Sequence, residues 1–441
     1  MKNHSLAFLL LFFSASAMAQ KIPYTNCTNC WNPDSLGNHR AVIEFSGTGT
    51  IAKAVIPWRR RDTDPQDKRI IIEDAKTHQK IMNVKSGTLD REFGEIYFEP
   101  ASGSGIYYVY YMPYKNEGRS NYPKGVYLKP ENTASVQWLN SITNNKNISS
   151  ASVKELQSID AFNTFYPMEI IATKDETDHL IAQNKNKSFL IFPEDRLHSI
   201  RMKNDLPERW IEKGIKTSRQ TVGQAFTDTA MKGENFAYQL GIFALQNIKN
   251  IKVRFSDLSN NGKIISAKNM SCLNTDGTDY TGNPMHKTVD IEKFKVQPLW
   301  CLVDVPQNAL PGKYFGKVIV TSDNNSLAKE INIELVVKNE TAKNHGVNEP
   351  WKMTRLKWLN STMAQANTVI APYTPLRISG NIISLLGRKV ILDDNGLPKQ
   401  IQTFFTPEMT GYQKEPNDLL AEGIHFHFTK ASDSNDLKLK K

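Results

Sequence analysis

The sequence predicts an all-β protein: tandem immunoglobulin-like β-sandwiches followed by the start of a larger β-sandwich domain. Three observations carry this. Short runs of alternating or β-branched residues recur along most of the chain. Gly, Asp, Pro and Ser turns separate them. Helical periodicity is confined to a few short stretches. The 441 residues make room for about three domains at ~150 residues each. A hydrophobic fraction of 39% with 10% aromatics suits a folded globular chain and excludes disorder. The mean hydropathy of −0.46 excludes a polytopic membrane protein.

The chain opens with Met1-Lys2-Asn3-His4, an apolar run over 6–13 and small residues ending in Ala17-Met18-Ala19. This is the pattern of a secretory signal peptide, 1–19, cut after Ala19 to leave Gln20. The apolar run is too short for ~30 Å of hydrocarbon, and no later stretch reaches the ~20 apolar residues of a membrane helix. The expectation is an exported protein in the periplasm, at the cell surface or outside the cell, with no transmembrane segment after cleavage.

The first β-sandwich is expected over 32–145, with strands at 40–45, 52–58, 69–74, 95–99, 106–112 and 125–128. In the run Tyr107-Tyr108-Val109-Tyr110-Tyr111, alternation puts Tyr107 and Tyr111 on one face and Tyr108 and Tyr110 on the other. One face packs in the core. The other is either ordinary rim packing or a platform for the apolar face of a pyranose ring. Trp58-Arg59-Arg60-Arg61-Asp62 is the densest charge cluster. Its arginines either pair with nearby acids or hold an acidic sugar. Trp58, Arg59, Arg60, Tyr107 and Tyr111 are therefore the candidate carbohydrate-binding residues.

A mixed α/β connector is expected over 146–217. Val153, Leu156 and Ile159 at helical spacing predict a helix over 150–159, followed by a strand at 166–172. Thr173 and Glu176 have the spacing of a capping box and start a helix to about 183. A strand at 188–192 leads into Glu194-Asp195-Arg196. Adjacent carboxylates on a strand face opposite ways, whereas glycosidic cleavage needs two acids ~5–10 Å apart across one sugar. Glu169 sits among apolar residues, where an arginine such as Arg196 or Arg201 is its expected partner.

The second sandwich, 218–338, is read from strands at 236–245, 251–255, 263–266, 288–291, 297–303, 312–321 and 328–337. A polar linker follows over 339–348. The third, larger β domain starts at 349 and runs to 430, with strands at 375–379, 382–386, 389–392 and 400–405, a hairpin turn at Asp393-Asp394-Asn395-Gly396, and a last strand in His425-Phe426-His427-Phe428. Residues 431–441 lose all pattern and are expected to be a disordered tail.

Four cysteines follow the leader: Cys27, Cys30, Cys272 and Cys301. Cys27 and Cys30 have no second pair at zinc-finger spacing and no preceding strand, so a local disulfide or free thiols is the reading. Cys272 and Cys301 are possible buried neighbours, bridged or not. His425 and His427 share a strand face but lack a third ligand, so no metal is expected. Nucleotide-binding loops, nucleophile elbows and zinc helices have no match, and no cofactor is implied. The surplus of 55 Lys and Arg over 45 Asp and Glu is dispersed rather than striped, which argues against nucleic acid.

The motifs Ile56-Pro57-Trp58-Arg59-Arg60-Arg61-Asp62, Tyr107 to Tyr111, Phe165-Tyr166-Pro167-Met168-Glu169, Phe192-Pro193-Glu194-Asp195-Arg196, Leu206-Pro207-Glu208-Arg209-Trp210, Val296-Gln297-Pro298-Leu299-Trp300-Cys301 and Arg355-Leu356-Lys357-Trp358, in this order, resemble a family. They are similar to large secreted bacterial glycoside-hydrolase-like proteins, still named a domain of unknown function and related in layout to glycoside hydrolase family 123. The resemblance implies N-terminal β-sandwiches, a larger β domain and then a barrel that carries the catalytic acids. It covers the sandwich portion only, so no catalytic residue carries over. The expectation is the non-catalytic N-terminal part of an exported glycan-degrading protein. Its partners would be a glycan and a missing C-terminal catalytic domain. A complete secreted carbohydrate-binding or scaffold protein is the alternative.

Overall fold

The computed structural model describes residues 22–144, 147–211, 226–366, 368–432 and 437. The expected leader, and most of the expected tail, lie outside the described residues. Strands make up 43% of the protein and helices 14%, so the all-β class stands. The chain divides into two units, residues 1–278 with 284–360, and residues 279–283 with 361–441.

The first sandwich is built from β1 (Tyr24–Asn26), β2 (His39–Phe45), β3 (Ile51–Ile56), β4 (Ile71–Asp74), β5 (Val84–Leu89), β6 (Gly94–Phe98), β7 (Gly105–Tyr110), a separate hairpin of β8 (Tyr114–Arg119) and β9 (Tyr122–Tyr127), and β10 (Ile148–Ser158). The main sheet runs β4-β7-β2-β10-β3-β6-β5, with β1 alongside β10. Its core gathers Ile43, Phe45, Ile56, Trp58, Ile96, Phe98, Tyr107, Val109, Tyr111 and Leu156.

Strand β10 corrects the expected helix at 150–159. It pairs antiparallel with β2 and parallel with β3, so it closes the middle of the sheet. The helical spacing has a local cause. A bulge falls between Val153 and Glu155, so Val153 faces Ile43 while Leu156 faces Ala41. Three residues on β10 span two on its partner, which turns Val153 and Leu156 to the same face. The sandwich consequently extends past the expected limits of 32 and 145, taking in β1 and β10.

The expected strand at 166–172 is instead a short 3-10 turn, Pro167–Glu169, with a single bridge from Ile171 to Pro207. Pro167 removes a donor that a ladder would need. The helix α1 (Pro33–Leu36) precedes β2, and α2 (Val136–Asn144) precedes β10. The third helix, α3 (Lys174–Gln183), begins where the capping box predicts it, with the Thr173 hydroxyl accepting from the Glu176 amide at 3.1 Å and the Glu176 carboxylate accepting from the Thr173 amide at 2.9 Å.

The second sandwich starts earlier than 218. Its first strand, β11 (Phe189–Glu194), lies in the expected connector. There follow β12 (Phe226–Lys232), β13 (Asn235–Ala244), β14 (Lys252–Phe255), β15 (Leu258–Asn260), β16 (Lys263–Ile265), β17 (Met270–Cys272), the pair β18 (Asp276–Thr278) and β19 (Pro284–His286), β20 (Val296–Asp304), β21 (Gly312–Ser322) and β22 (Asn325–Thr341). One sheet is β11-β13-β20-β17; the other is β12-β22-β21-β15-β16, with β14 on β21. Between them lies a core separate from the first, including Phe236, Tyr238, Leu240, Leu299, Tyr314, Val318 and Leu335. The outer face of β13 carries a third cluster around Trp210, Met168, Leu206 and Phe243. Gly241 makes this possible, because a Cβ there would lie 2.3 Å from the Trp210 ring.

The second unit holds one sheet in simple order: β23 (Arg377–Ser379), β24 (Ile382–Leu385), β25 (Arg388–Leu392), β26 (Pro398–Phe405) and β27 (Tyr412–Asp418). The turn at Asp393 to Gly396 joins β25 to β26 as expected. Of the described residues from 361 to 432, none is buried. The strand expected at His425 to Phe428 does not form; Phe426 and Phe428 are 69% and 46% exposed.

Candidate functional site

The five residues expected to bind sugar sit inside the first sandwich or at its joint with the connector. Trp58 is 1% exposed; its Nε1 donates to the Asp90 carbonyl at 2.8 Å, and its ring lies 5.3 Å from that of Tyr111. Tyr107 and Tyr111 point into the same core, and burial pushes the Tyr111 phenol far above its ordinary pKa. The opposite face of β7 is also taken: the Arg40 guanidinium stacks 3.6 Å over the Tyr108 ring, and the Tyr110 hydroxyl lies between Arg40 at 3.3 Å and Glu73 at 3.1 Å. Neither face of this tyrosine run is open for a sugar.

The arginines are joints. Arg59 holds Glu176 of α3 with both terminal nitrogens, at 2.7 and 2.9 Å. Arg60 grips Asp62 at 2.8 and 2.6 Å, and Lys68 closes on the same carboxylate. Asp62 is half-buried, which raises its pKa, but Arg60 and Lys68 outweigh that and hold it below the ordinary range. Arg91 adds a bidentate pair with Asp205 at 2.9 and 2.7 Å. The dense basic run thus clamps the sandwich to the segment that follows it. Glu169 meets Arg61 and Arg201, each at 3.4 Å, so of the two arginines expected Arg201 is a partner, while Arg196 pairs with Glu234.

The cysteines differ between pairs. Cys27 and Cys30 form a disulfide, whereas Cys272 and Cys301 are buried thiols facing each other across β17 and β20.

The end of β11 brings together what the sequence kept apart. Glu194 is fully buried and accepts from Trp210 Nε1 at 3.0 Å and Arg209 Nε at 3.2 Å. Asp195 accepts from the backbone amides of Leu197 at 2.8 Å and His198 at 3.0 Å, and meets His198 Nδ1 at 2.8 Å. Burial raises the Asp195 pKa, and these hydrogen bonds outweigh it and bring it below normal. Ligand atoms of Glu194, Asp195 and His198 lie within 4.8 Å of one another, a spacing a metal ion can use. Arg209 already supplies the positive charge, touching Glu194 and standing 3.7 Å from Asp195. The trio therefore reads as an arginine-centred ion cluster.

Beside it opens a cleft of about 470 Å³. Its floor is a buried ion network. Arg196 pairs with Glu234 and donates to the Thr229 carbonyl at 3.0 Å; Lys352 lies 3.9 Å from Glu234 and 2.6 Å from Glu349. Arg196 sits between the Phe236 ring at 4.9 Å and the Trp351 ring at 5.4 Å. The walls include Asp195, Asp228, Lys338 and Trp351, the last 51% exposed. Burial raises the pKa of Asp228 above the usual carboxylate value. The arrangement offers an aromatic face, two carboxylates and an ammonium in one concavity, which suits binding of a polar ring compound. Sequence reasoning missed it because its parts lie more than 150 residues apart. The one local hint is Pro350-Trp351-Lys352, an aromatic set between a turn former and a charge.

Three family models match the chain. "Glycoside hydrolase 123, N-terminal domain" matches residues 29–159, "Glycoside hydrolase 123 N-terminal domain" matches 271–322, and "Glycoside hydrolase 123, third domain" matches 376–441. The first match ends one residue past β10, where the first sandwich ends. Among solved structures, a family 123 glycoside hydrolase from Clostridium perfringens, described in terms of glycolipid glycan hydrolysis, is similar at 18% identity over 36% of this chain and 28% of that one, with a TM-score of 0.27. A FixG-related protein from Vibrio parahaemolyticus is similar at 16% identity over 23% and 77% of the two chains, TM-score 0.15, and the self-complemented fimbrial subunit MyfA from Yersinia enterocolitica at 15% over 27% and 94%, TM-score 0.19. The comparison with curated proteins returns no match. With three successive segments matched to domains of one kind, the chain belongs to a family related to glycoside hydrolase 123.

Proposed function

We propose that these domains are the non-catalytic β-rich portion of an exported glycan-degrading protein, and that cleavage is performed by a barrel domain carried on further polypeptide. The observation that carries the reading is the third unit. A five-stranded antiparallel sheet normally buries one face against a second layer. Here no described residue from 361 to 432 is buried, although β24, β25 and β26 hold Ile382, Ile383, Val390, Ile391, Ile401 and Phe405. Such a sheet calls for covering polypeptide. The match of residues 376–441 to a glycoside hydrolase 123 third domain supports a multi-domain enzyme as the context.

The state of the acids supports the same reading. Hydrolysis needs an acid and a base or nucleophile free to act on one bond. Glu194, Glu234, Glu176 and Asp62 are each held by an arginine. The leader at 1–19 supports export.

The test is expression of residues 20–441 beside the reading frame extended through its genomic continuation, both assayed on a panel of chromogenic glycosides. The expected result is turnover by the extended protein only, with Gln20 as the N-terminus of exported material. Turnover by residues 20–441 alone, or a continuation without a barrel, overturns the proposal.

A further inference from the structure

We infer that the cleft between the end of β11, β12 and Trp351 is a glycan-binding subsite, taking a neutral hexopyranose unit against the Trp351 ring with Asp228 and Asp195 as hydroxyl acceptors. The inference deepens the glycan-degrading reading and rests on it for the class of ligand.

The chemistry of a pyranose sets the requirements. Its axial C–H groups make an apolar patch that seeks an aromatic face, and its equatorial hydroxyls need charged or planar polar partners at the edge. The Trp351 indole is half exposed and faces the cleft. It is also held in place. The Arg196 guanidinium lies 5.4 Å from the ring and is itself fixed by Glu234, by the Thr229 carbonyl at 3.0 Å and by the Phe236 ring at 4.9 Å. A prearranged platform loses little freedom when a ligand stacks on it.

The edge groups are equally placed. Asp228 accepts from the Thr229 amide at 2.6 Å and forms no ion pair among the described residues, so the rest of its acceptor capacity is open. Asp195 is oriented by three local hydrogen bonds. Lys338 also lines the cleft and contributes a donor. Opposed charges of both signs favour a neutral, hydroxyl-rich ring over an ion. The volume of about 470 Å³ lies within the range of small-molecule sites, which is ~300–1,000 Å³.

The experiment uses residues 20–441 and an array of neutral oligosaccharides, followed by calorimetry with the best binder. Trp351→Ala is expected to weaken binding about tenfold or more, and Asp228→Asn severalfold. Trp358→Ala, at a more exposed tryptophan outside the cleft (61%), is expected to leave binding unchanged. Asp228→Asn is nearly isosteric and keeps the test valid if Trp351→Ala fails to fold. Binding that survives both cleft substitutions, or absence of binding by the unaltered chain, overturns the subsite. Failure of the extended protein to hydrolyse any glycoside, with Trp351-dependent binding intact, would instead overturn the enzymatic context and leave the subsite standing.

Discussion

At the scale of single residues, the charges that drew notice in the sequence hold the fold together. Asp62 is the clearest case, because one carboxylate anchors both Arg60 and Lys68. Its folded pKa is depressed below the ordinary 3.8, so the unfolded chain binds a proton more readily. The stabilisation is then fully present above the carboxylate range and is lost as pH falls through the depressed value. Asp62→Asn is expected to lower stability by about 2 kcal/mol at neutral pH and to cost little in strong acid, measured by denaturant unfolding at both. Asp228 has the opposite sign. Its raised pKa means that ionisation opposes folding, so Asp228→Asn stabilises slightly above the carboxylate range, and the gain fades as pH falls through the unfolded value. A thermal shift at two pH values checks it. The thiols give a third expectation. The hydrogen bond from Cys301 lowers the Cys272 pKa to about 7 even though burial opposes it. Both are buried, so native protein labels no thiol with a maleimide, and denatured, unreduced protein labels two.

At the scale of elements, the sequence was legible where periodicity was unbroken and misleading where one residue broke it. Strand β6 alternates cleanly, β2, β7 and β20 are β-rich runs bounded by turn residues, and α3 carries its capping box, so each lies within about two residues of where its pattern puts it. Strand β10 does not, because its bulge gives Val153 and Leu156 a helical spacing while both remain on one sheet face. The two readings of this segment differ experimentally. In a helix over 150–159, Ser152 would lie in the first turn, where proline is tolerated. In β10 it faces Glu44 of β2, directly after the residues 148–151 that pair with β3. Ser152→Pro is expected to remove a ladder hydrogen bond from a central strand and to abolish cooperative unfolding of the first sandwich, read by proteolysis. The candidate sugar residues were misread for a related reason. Tyr107 and Tyr111 alternate as expected, but alternation alone does not say which face is covered, and Arg40 stacked on Tyr108 closes the second one. Trp351 carries no periodic signal at all, since it lies in a short 3-10 turn whose neighbours in the cleft come from the segment after β11, from β12 and from β22.

At the scale of the whole molecule, two kinds of domain share one chain. The sandwiches have dense cores, and most residues of β13 are buried. The sheet of β23 to β27 has backbone ladders but no buried side chain among the described residues 361–432. Protection from hydrogen exchange tracks the free energy of local opening, which depends on buried apolar contacts as well as on ladder hydrogen bonds. Amides of β13 and β20 are therefore expected to exchange only with global unfolding. Those of β24, β25 and β26 should exchange orders of magnitude faster in residues 20–441, despite equivalent pairing. The contrast follows from the lack of buried side chains, not from weak strand propensity, because Ile382, Ile383, Val390, Ile391 and Ile401 are β-branched residues suited to a sheet. Adding the genomic continuation should slow exchange in β24 to β26 selectively, with β13 unchanged. Equal protection of both sheets in residues 20–441 would mean that the third unit is stable as it stands, and would remove the main physical support for a covering domain.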